Sequence, residues 1–389
     1  MAATSAFAQS SVTISGNADV GVVTKAAYGG DGKLFGKSTG VADGLNSPNR
    51  IILTVKEDLG GGTTATFYNE HGISPTNTTD WSSRTFNGAP QVVGVAKNST
   101  TDNQIPASGS LNASTNRGTY LGLANAKMGE IRAGYLVSSL YNTSAQSGYF
   151  LGVEQYGALL KDYGLGEVGG ARANGLQYTT PKLGMFTGTV QQQYGDERTY
   201  TSDAATAPYS TNKAERTALR ADMDAGALRA TYVHTELTKV QTVVGGTPAT
   251  SIFGVAGTAP TASADQKAKH DHLSAIYTYG PVAATYQYNK LDLTDNLTAG
   301  NGRNGKSNQY GIQYTVGAAS VYAITGKVTV DSPTARVNDI SNTQYGVRYN
   351  LSKRTLAYFM AGESKDSVPT AADKMSKGKM NGVGVMHAF

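Results

Sequence analysis

The side chains that most often carry out catalysis or hold metals are few and scattered in this sequence. It contains no cysteine, so it has neither a disulfide framework nor a thiolate metal site. Its five histidines form no HExxH motif, and no serine–histidine pair or carboxylate pair converges in the pattern. We therefore expect no enzymatic reaction, no metal site and no cofactor.

The nearest approach to a ligand pair is the sequence His270-Asp271-His272, at the end of a polar run. Histidines at alternate positions project from the same face of a strand. A third ligand at a metal-site spacing is missing. We expect these two imidazole rings to be solvated at the end of a strand.

Arginines in alternating segments indicate another kind of chemistry, a fixed electric field. Arg50 is the second residue of the segment NRIILTVKE, in which Ile51, Leu53 and Val55 share one face. Arg132, in EIRAGY, likewise lies on the face opposite Ile131. Guanidinium stays charged at any physiological pH, so arginines on the polar face of a strand supply a permanent positive field.

The composition indicates which kind of protein holds these strands. Hydrophobic residues make up 39% of the chain and charged residues 16%, with 47 glycines and 23 tyrosines. With so few large apolar residues, a soluble domain would bury too little apolar surface to offset the entropy that the chain loses on folding. The low fraction of charged residues also disfavours disorder. A transmembrane β-barrel satisfies both conditions, because it needs apolar residues only at alternate positions and places tyrosines at the membrane boundaries.

Other classes are excluded. No run of about eighteen apolar residues exists, which excludes a transmembrane helix. The net charge of +5 is small and dispersed, so we expect no nucleic-acid partner.

Period-two alternation runs through most of the chain and predicts about sixteen strands. The predicted strands are 11–26, 49–57, 63–71, 117–124, 130–138, 172–180, 185–194, 214–223, 227–236, 270–279, 282–291, 306–316, 318–330, 340–351, 354–363 and a last strand from 380.

Tight turns alternate with longer connections between these strands. The longer connections are 27–48, 72–116, 139–171, 195–213, 237–269, 292–305, 331–339 and 364–379. This alternation places the tight turns on one rim and the loops on the other, whereas a soluble sandwich mixes connection lengths. We predict an all-β fold, a sixteen-stranded antiparallel transmembrane β-barrel with short periplasmic turns and long extracellular loops.

The two ends of the chain carry their own patterns. Residues 6–8, Ala-Phe-Ala, fit the small-x-small cleavage pattern of a secretory signal. We expect residues 1–8 to be a residual signal-peptide tail, the alternative being an arbitrary leader, and residues 9–389 to form a single barrel domain. In the final segment, Val383, Val385 and Phe389 share one face of a strand. We expect this strand to pair with the first and close the sheet, the alternative being the last strand of a soluble sheet.

Several segments resemble the Gram-negative general porins, and most closely those of β-proteobacteria. The segments are SSVTISGNADVGV, NRIILTVKEDLGGGTTATFYNE, NRGTYLGLANAKMGEIRAGY, YTTPKLGMFTG, NTQYGVRYNLSKRT and GVGVMHAF. The resemblance implies a homotrimer in the outer membrane, in contact with lipid and lipopolysaccharide, in which the third long loop folds inward and narrows the lumen. It also implies that Phe389 belongs to the signal read by the barrel-assembly machinery.

The resemblance also identifies candidate residues for a pore constriction. Arg50, Arg117 and Arg172 match the wall-arginine positions of the family, and Arg132 is a fourth basic candidate. Alternation supports an inward direction for Arg50 and Arg132 and is indecisive for Arg117 and Arg172. For each arginine the alternative is a strand-end charge at the level of the lipid headgroups.

The third loop supplies the candidate acids. Glu154, Asp162 and Glu167 are its only acidic residues, and Glu154 is the first choice to face the arginines. The alternative for each is a solvated loop charge. The PEFGG-type loop tip of enteric porins is absent, and Asn17 stands where those porins often carry a lysine.

These features predict passive transport of ions and small hydrophilic solutes through a water-filled lumen, with mild selectivity for anions. Two alternatives remain open. A substrate-specific channel requires a ladder of aromatic or basic residues along the lumen, which the tyrosines could supply. A non-conducting surface adhesin barrel, or a secreted β protein, requires no open lumen.

Overall fold

The computed structural model describes residues 10–76, 115–143, 172–195, 198–200, 210–243, 264–295, 302–368 and 375–389. Its strands are β1 (Ser11–Gly29), β2 (Leu34–Asp43), β3 (Arg50–Gly60), β4 (Thr63–Gly72), β5 (Thr115–Asn125), β6 (Gly129–Val137), β7 (Arg172–Thr179), β8 (Phe186–Tyr194), β9 (Arg198–Tyr200), β10 (Ser210–Ala225), β11 (Leu228–Val243), β12 (Ala264–Tyr279), β13 (Val282–Asp295), β14 (Arg303–Val316), β15 (Ala319–Asp331), β16 (Arg336–Asn350), β17 (Thr355–Asp366) and β18 (Met375–Ala388). Within these ranges no helix is long and apolar enough to cross a membrane.

The strands form one closed antiparallel sheet. β18 pairs with β1, with Val385 opposite Val20, so the last strand closes on the first as predicted. β2 and β3 both pair with β1, and β8 and β9 both pair with β10, so each of these two pairs occupies one position in the wall. The eighteen strands therefore form a sixteen-stranded barrel, which confirms the predicted fold.

Alternation along the strands gives the wall two different faces. In β1, Val12 and Ile14 are 66% and 67% exposed on the outer face, whereas Asn17 and Asp19 are buried on the inner face. Large apolar side chains cover the outside of the other strands in the same way. A continuous apolar exterior of this extent fits a hydrocarbon environment.

Tight turns close the hairpins at one end of the barrel. The turns after β10 and β12 contain Gly226 and Gly280, with φ angles of 75° and 55°. Two-residue hairpin loops require positive φ, which glycine adopts without steric cost.

The opposite end differs from the prediction, because strands extend into the expected loops. The expected loop 27–48 contains β2, and the expected loop 331–339 shortens to 332–335. β11 continues to Val243 although its outer face carries Glu236. In these segments the strands continue to pair through backbone hydrogen bonds although apolar residues no longer alternate with polar ones. Alternation alone therefore could not predict where these strands end.

The inner face holds two apolar clusters that the sequence did not predict. One joins inner-face residues of strands β11 to β16, namely Leu237, Ala268, Leu291, Leu293, Val328, Val330 and Ile340. The other joins Val23, Ala42, Leu45, Tyr358, Met360 and Met380. In both clusters apolar groups on the inner face are removed from water by packing against each other.

The expectation of solvated rings at His270 and His272 is wrong. Their exposed fractions are 3% and 0%, on the inner face. A ring nitrogen of each lies within hydrogen-bond distance of Oδ1 of Asn289, at 3.2 Å for His270 and 2.6 Å for His272. Strand register brings Asn289 to them, and register is not visible in a single segment.

The seam between first and last strands leaves no room for a side chain at Gly16. The Gly16 N–H donates to the carbonyl oxygen of Phe389 at 3.1 Å, and the Phe389 N–H donates back at 3.1 Å. A Cβ on Gly16 would lie 2.7 Å from Cζ of Phe389 and would collide with the carbonyl oxygen of Arg50.

The change Gly16→Ala is therefore expected to destabilise the barrel by about 1–3 kcal/mol, because overpacking displaces the seam. The measurement is the temperature at which the folded form disappears in heat-modifiability electrophoresis. Gly188→Ala is the matched control, since its Cβ would lie 3.5 Å from Cγ2 of Thr180, an ordinary contact. Equal melting of the two variants would contradict the expectation.

Candidate functional site

Charged and aromatic side chains meet on strands β3 to β7, with Glu70 at the centre. Its Oε1 accepts a hydrogen bond from Nε of Arg117 at 2.9 Å and lies 3.5 Å from a terminal nitrogen of Arg50. Its Oε2 accepts from the hydroxyl of Tyr68 at 2.7 Å. Glu70 is 7% exposed, so one nearly buried carboxylate neutralises part of the charge of two guanidinium groups.

A β-bulge allows Arg117 to reach this carboxylate. On β5, Leu121 and Leu123 are exposed on the outer face, and strict alternation would place Arg117 with them. The pairing of β4 with β5 shifts register between Glu70 and His71, so Arg117 is the extra residue of the bulge. A bulge re-aims a side chain, which explains why alternation was indecisive here.

Arg132 belongs to the same wall through aromatic contacts. Its guanidinium donates to Oε2 of Glu130 at 2.7 Å and lies 4.8 Å from the ring centroid of Tyr120. Tyr120 stacks on Tyr68 with centroids 5.0 Å apart. A cation over an aromatic face is attracted by the ring quadrupole, so the stacked tyrosines connect Arg132 to the Glu70 carboxylate.

Arg172 joins the network from the first position of β7, directly after the third long loop. Its Nε donates to the carbonyl oxygen of Arg117, and its guanidinium lies 5.2 Å from the ring of Tyr141. Tyr141 lies in a helical turn at residues 139–143, whose N-terminus is capped by the hydroxyl of Ser138. The first turn of the third loop therefore contacts the wall arginines.

These side chains border a polar space in the barrel interior. A cavity of about 360 Å³ is lined by residues that include Arg50, Glu70, Arg132 and Arg220. Arg220 also lines a second cavity of about 400 Å³, which extends to Asp224 at the end with tight turns. Arg220 is thus common to the linings of both cavities.

The structure thus brings the four predicted arginines into one network. Arg50 and Arg132 line the cavity, Arg117 meets it through Glu70, and Arg172 is bonded to the backbone of Arg117. The predicted acids Glu154, Asp162 and Glu167 lie outside the described residues, as does the expected signal-peptide tail. Phe389 lies at the seam, paired with Gly16.

The sequence reasoning missed Glu70, Tyr68 and Tyr120 as parts of this site. The alternation of β4 does place Glu70 on the polar face, because Phe67 is exposed on the other. That signal marks Glu70 as inward-facing. Its two arginine partners follow only from the pairing of β4 with β3 and β5.

A family model described as Gram-negative porin matches residues 1–368. The chain belongs to the Gram-negative porin family. It is accordingly an outer-membrane channel with a closed barrel. No curated protein matches the chain in sequence.

Solved structures of porins share the fold. The anion-selective porin of Comamonas acidovorans is similar with a TM-score of 0.62 and 18% identity, covering 98% of this chain and 100% of that one. A trimer form of OmpT of Vibrio cholerae gives 0.60 and 15%, covering 98% and 99%. OmpF of Salmonella typhi gives 0.56 and 13%, covering 97% of each. At these identities the likeness shows the fold alone.

The central position of Glu70 leads to a prediction about ion selectivity in this porin. Glu70→Gln removes one negative charge and keeps an oxygen that can accept from Tyr68 or Arg117. A unit charge acting through water at about 6 Å changes the energy of a passing ion by roughly 0.7 kcal/mol, in opposite directions for an anion and a cation. The anion-to-cation permeability ratio is therefore expected to rise by up to about tenfold. The measurement is the reversal potential across a planar bilayer in a salt gradient.

The matched control is Glu236→Gln, because Glu236 lies on the outer face with a side chain that is 54% exposed. Removal of the Glu236 charge is expected to leave the reversal potential unchanged. An unchanged or cation-shifted potential in Glu70→Gln would show that this carboxylate does not act on passing ions.

Proposed function

We propose that this porin is a general diffusion channel that passes ions and small hydrophilic solutes without catalysis and with a mild preference for anions. The observation that carries the proposal is the wall network. In the described part of the chain it contains four arginines, Arg50, Arg117, Arg132 and Arg172, and two carboxylates, Glu70 and Glu130. The cationic excess borders a polar cavity.

Such an excess acts strongly on ions because the barrel wall has a low dielectric constant. Walls of this kind focus the field of fixed charges into the water column and raise the local concentration of counter-ions. Within this proposal Glu154 faces the arginines from the third loop, with Asp162 and Glu167 as further acids. These acids keep the anion preference mild.

The other functions have weaker support. A substrate-specific channel requires a ladder of lumen aromatics. The exposed tyrosines of the described strands, such as Tyr232 and Tyr310, lie on the outer face. The inner-face tyrosines Tyr68 and Tyr120 stack on each other and contact Glu70 and Arg132, which accounts for them as parts of the charged network. An adhesin barrel requires a filled lumen, whereas the interior beside the arginine network holds a cavity of about 360 Å³ lined by charged and polar side chains. The porin of Comamonas acidovorans, which shares the fold, is anion-selective, and this agrees with the proposed preference.

The outer face supports assembly as a homotrimer. Every exposed tyrosine in the described ranges lies on β7 to β17 or in the turn that follows, whereas β18 and β1 to β6 expose mainly aliphatic residues. Tyrosine is a main component of the girdles that form where a barrel meets the lipid boundary, so a face without exposed tyrosines suits contact with another protein. An apolar groove on this face is lined by Val55, Phe67, Leu121 and Ile131.

We propose that the aliphatic face of β18 and β1 to β6 lies between protomers and that lipid and lipopolysaccharide cover the remaining face. The native mass of protein extracted in mild detergent tests this arrangement. A trimer with retained lipopolysaccharide is expected, and a monomer would contradict it.

Removal of a wall charge tests the channel itself. The wild-type reversal potential is expected on the anion-selective side. Arg50→Gln is expected to lower the anion-to-cation permeability ratio, to as little as roughly a tenth, by the same Coulomb estimate for both ions. The control Lys269→Gln removes a cation from the outer face, where its side chain is 65% exposed. A cation-selective wild type, or an Arg50 variant that matches the control, would contradict the proposed selectivity.

We also propose that Phe389 is recognised by the barrel-assembly machinery. Phe389→Ala is expected to reduce the amount of protein in the outer membrane while the inserted fraction keeps its permeability ratio. The matched control is Phe359→Ala, because the two rings are similarly exposed, at 42% and 41%. Similar membrane levels for both variants would remove the assigned role.

A further inference from the structure

A short segment between β2 and β3 leaves the barrel wall. Asp43 stands opposite Val20 and Arg50 opposite Asn17, so residues 44–49 face only two residues of β1. Six residues cannot pair with two in a continuous ladder, so the excess must leave the plane of the sheet. We call residues 44–49 the tongue.

The tongue folds toward the lumen. Leu45 is fully buried and belongs to the apolar cluster that includes Val23, Tyr358 and Met380 on the inner face. Asn46 and Asn49 are 4% and 5% exposed. The tongue therefore occupies interior space beside β1, β17 and β18.

One buried carboxylate, that of Asp19, holds the tongue. Its Oδ2 accepts from the backbone N–H groups of Asn46 at 2.5 Å and Ser47 at 2.8 Å, and its Oδ1 accepts from the hydroxyl of Tyr358 at 2.5 Å. The backbone N–H of Asp19 donates to Oδ1 of Asn49 at 2.5 Å. A fully buried carboxylate is tolerated when such donors replace its hydration, so the anchor and the tongue depend on each other.

The tongue is followed directly by Arg50 and contacts the guanidinium group of that residue. A terminal nitrogen of Arg50 donates to Oγ of Ser47 at 3.2 Å, and its Nε donates to Oδ1 of Asn17 at 2.9 Å. Asn17 is held in turn, because its Nδ2 donates to the carbonyl oxygen of Pro48 at 2.9 Å. Both partners are closer than the Glu70 carboxylate, at 3.5 Å, so the tongue fixes the direction of this arginine.

We propose that the tongue is a second constriction element, which narrows the lumen from the β1 side and positions Arg50, with Asp19 and Ser47 as positioning residues. This inference rests on the proposed function as an ion channel. The inference adds that Arg50, a charge at the constriction, is held by the short segment between β2 and β3. This contribution is separate from any contribution of the third loop.

Shortening the tongue provides the first test. Residues 44–49 are replaced by Asn-Gly, one residue for each unpaired position of β1. The single-channel conductance is expected to rise, by roughly half or more, because the lumen widens. The anion preference is expected to weaken because Arg50 loses Ser47 as a partner and Asn17 loses its bond to Pro48. Heat-modifiability electrophoresis establishes that the variant is folded. A folded variant with wild-type conductance and reversal potential would overturn the proposal.

Ser47→Ala gives a second test that does not depend on tolerance of the deletion. The Asp19 anchor stays in place, because Asp19 accepts from the backbone N–H of Ser47. The change removes only the Ser47 hydroxyl, which accepts from a terminal nitrogen of Arg50. A lower anion-to-cation permeability ratio at nearly unchanged conductance is expected, which separates positioning from a change in lumen width. An unchanged ratio would overturn the positioning role.

The matched control is Thr24→Ala, which removes a hydrogen bond of 2.9 Å to Thr39 in the neighbouring wall and leaves the tongue intact. It is expected to behave as wild type. If the wild type conducts no ions, the proposed function fails. If it conducts and both tongue variants match Thr24→Ala, only the inference about the tongue fails.

Discussion

The pairing of every backbone N–H and carbonyl group within the wall is the constraint on which this structure depends. A strand surrounded by hydrocarbon has no water to satisfy these groups, so an open sheet edge is excluded. The sheet meets the constraint by joining β18 to β1, and at Gly16 the approach is so close that only glycine fits. Closure then sets the strand number and the interior in which charged groups can lie.

Closure by the backbone leaves the inner side chains free to be polar or charged. The interior nevertheless limits how charges are held, because a poorly hydrated charge needs nearby donors or counter-charges. The Glu70 carboxylate contacts two arginines and accepts from a tyrosine hydroxyl. The Asp19 carboxylate accepts from two backbone N–H groups and a tyrosine hydroxyl. Both carboxylates also bear on Arg50, Glu70 by direct contact and Asp19 through Ser47.

The wall is therefore not a uniform tube lined with polar residues. Two apolar clusters occupy the inner face, one on β11 to β16 and the other beside the tongue. The arginine network lies on β3 to β7 between them, where polar space remains. Internal packing thus leaves polar space where the charged network lies.

The sequence by itself determined the features that repeat along single strands. Alternation established the barrel, its strand number, the closing pair and the inward direction of Arg50 and Arg132, because side-chain direction in a strand follows from residue parity. Only the tertiary structure decided the bulge that turns Arg117 toward Glu70, the buried pair His270 and His272, and the tongue anchored on Asp19. These depend on register between strands, which is set by contacts between residues distant in sequence and leaves no periodic signal in either segment.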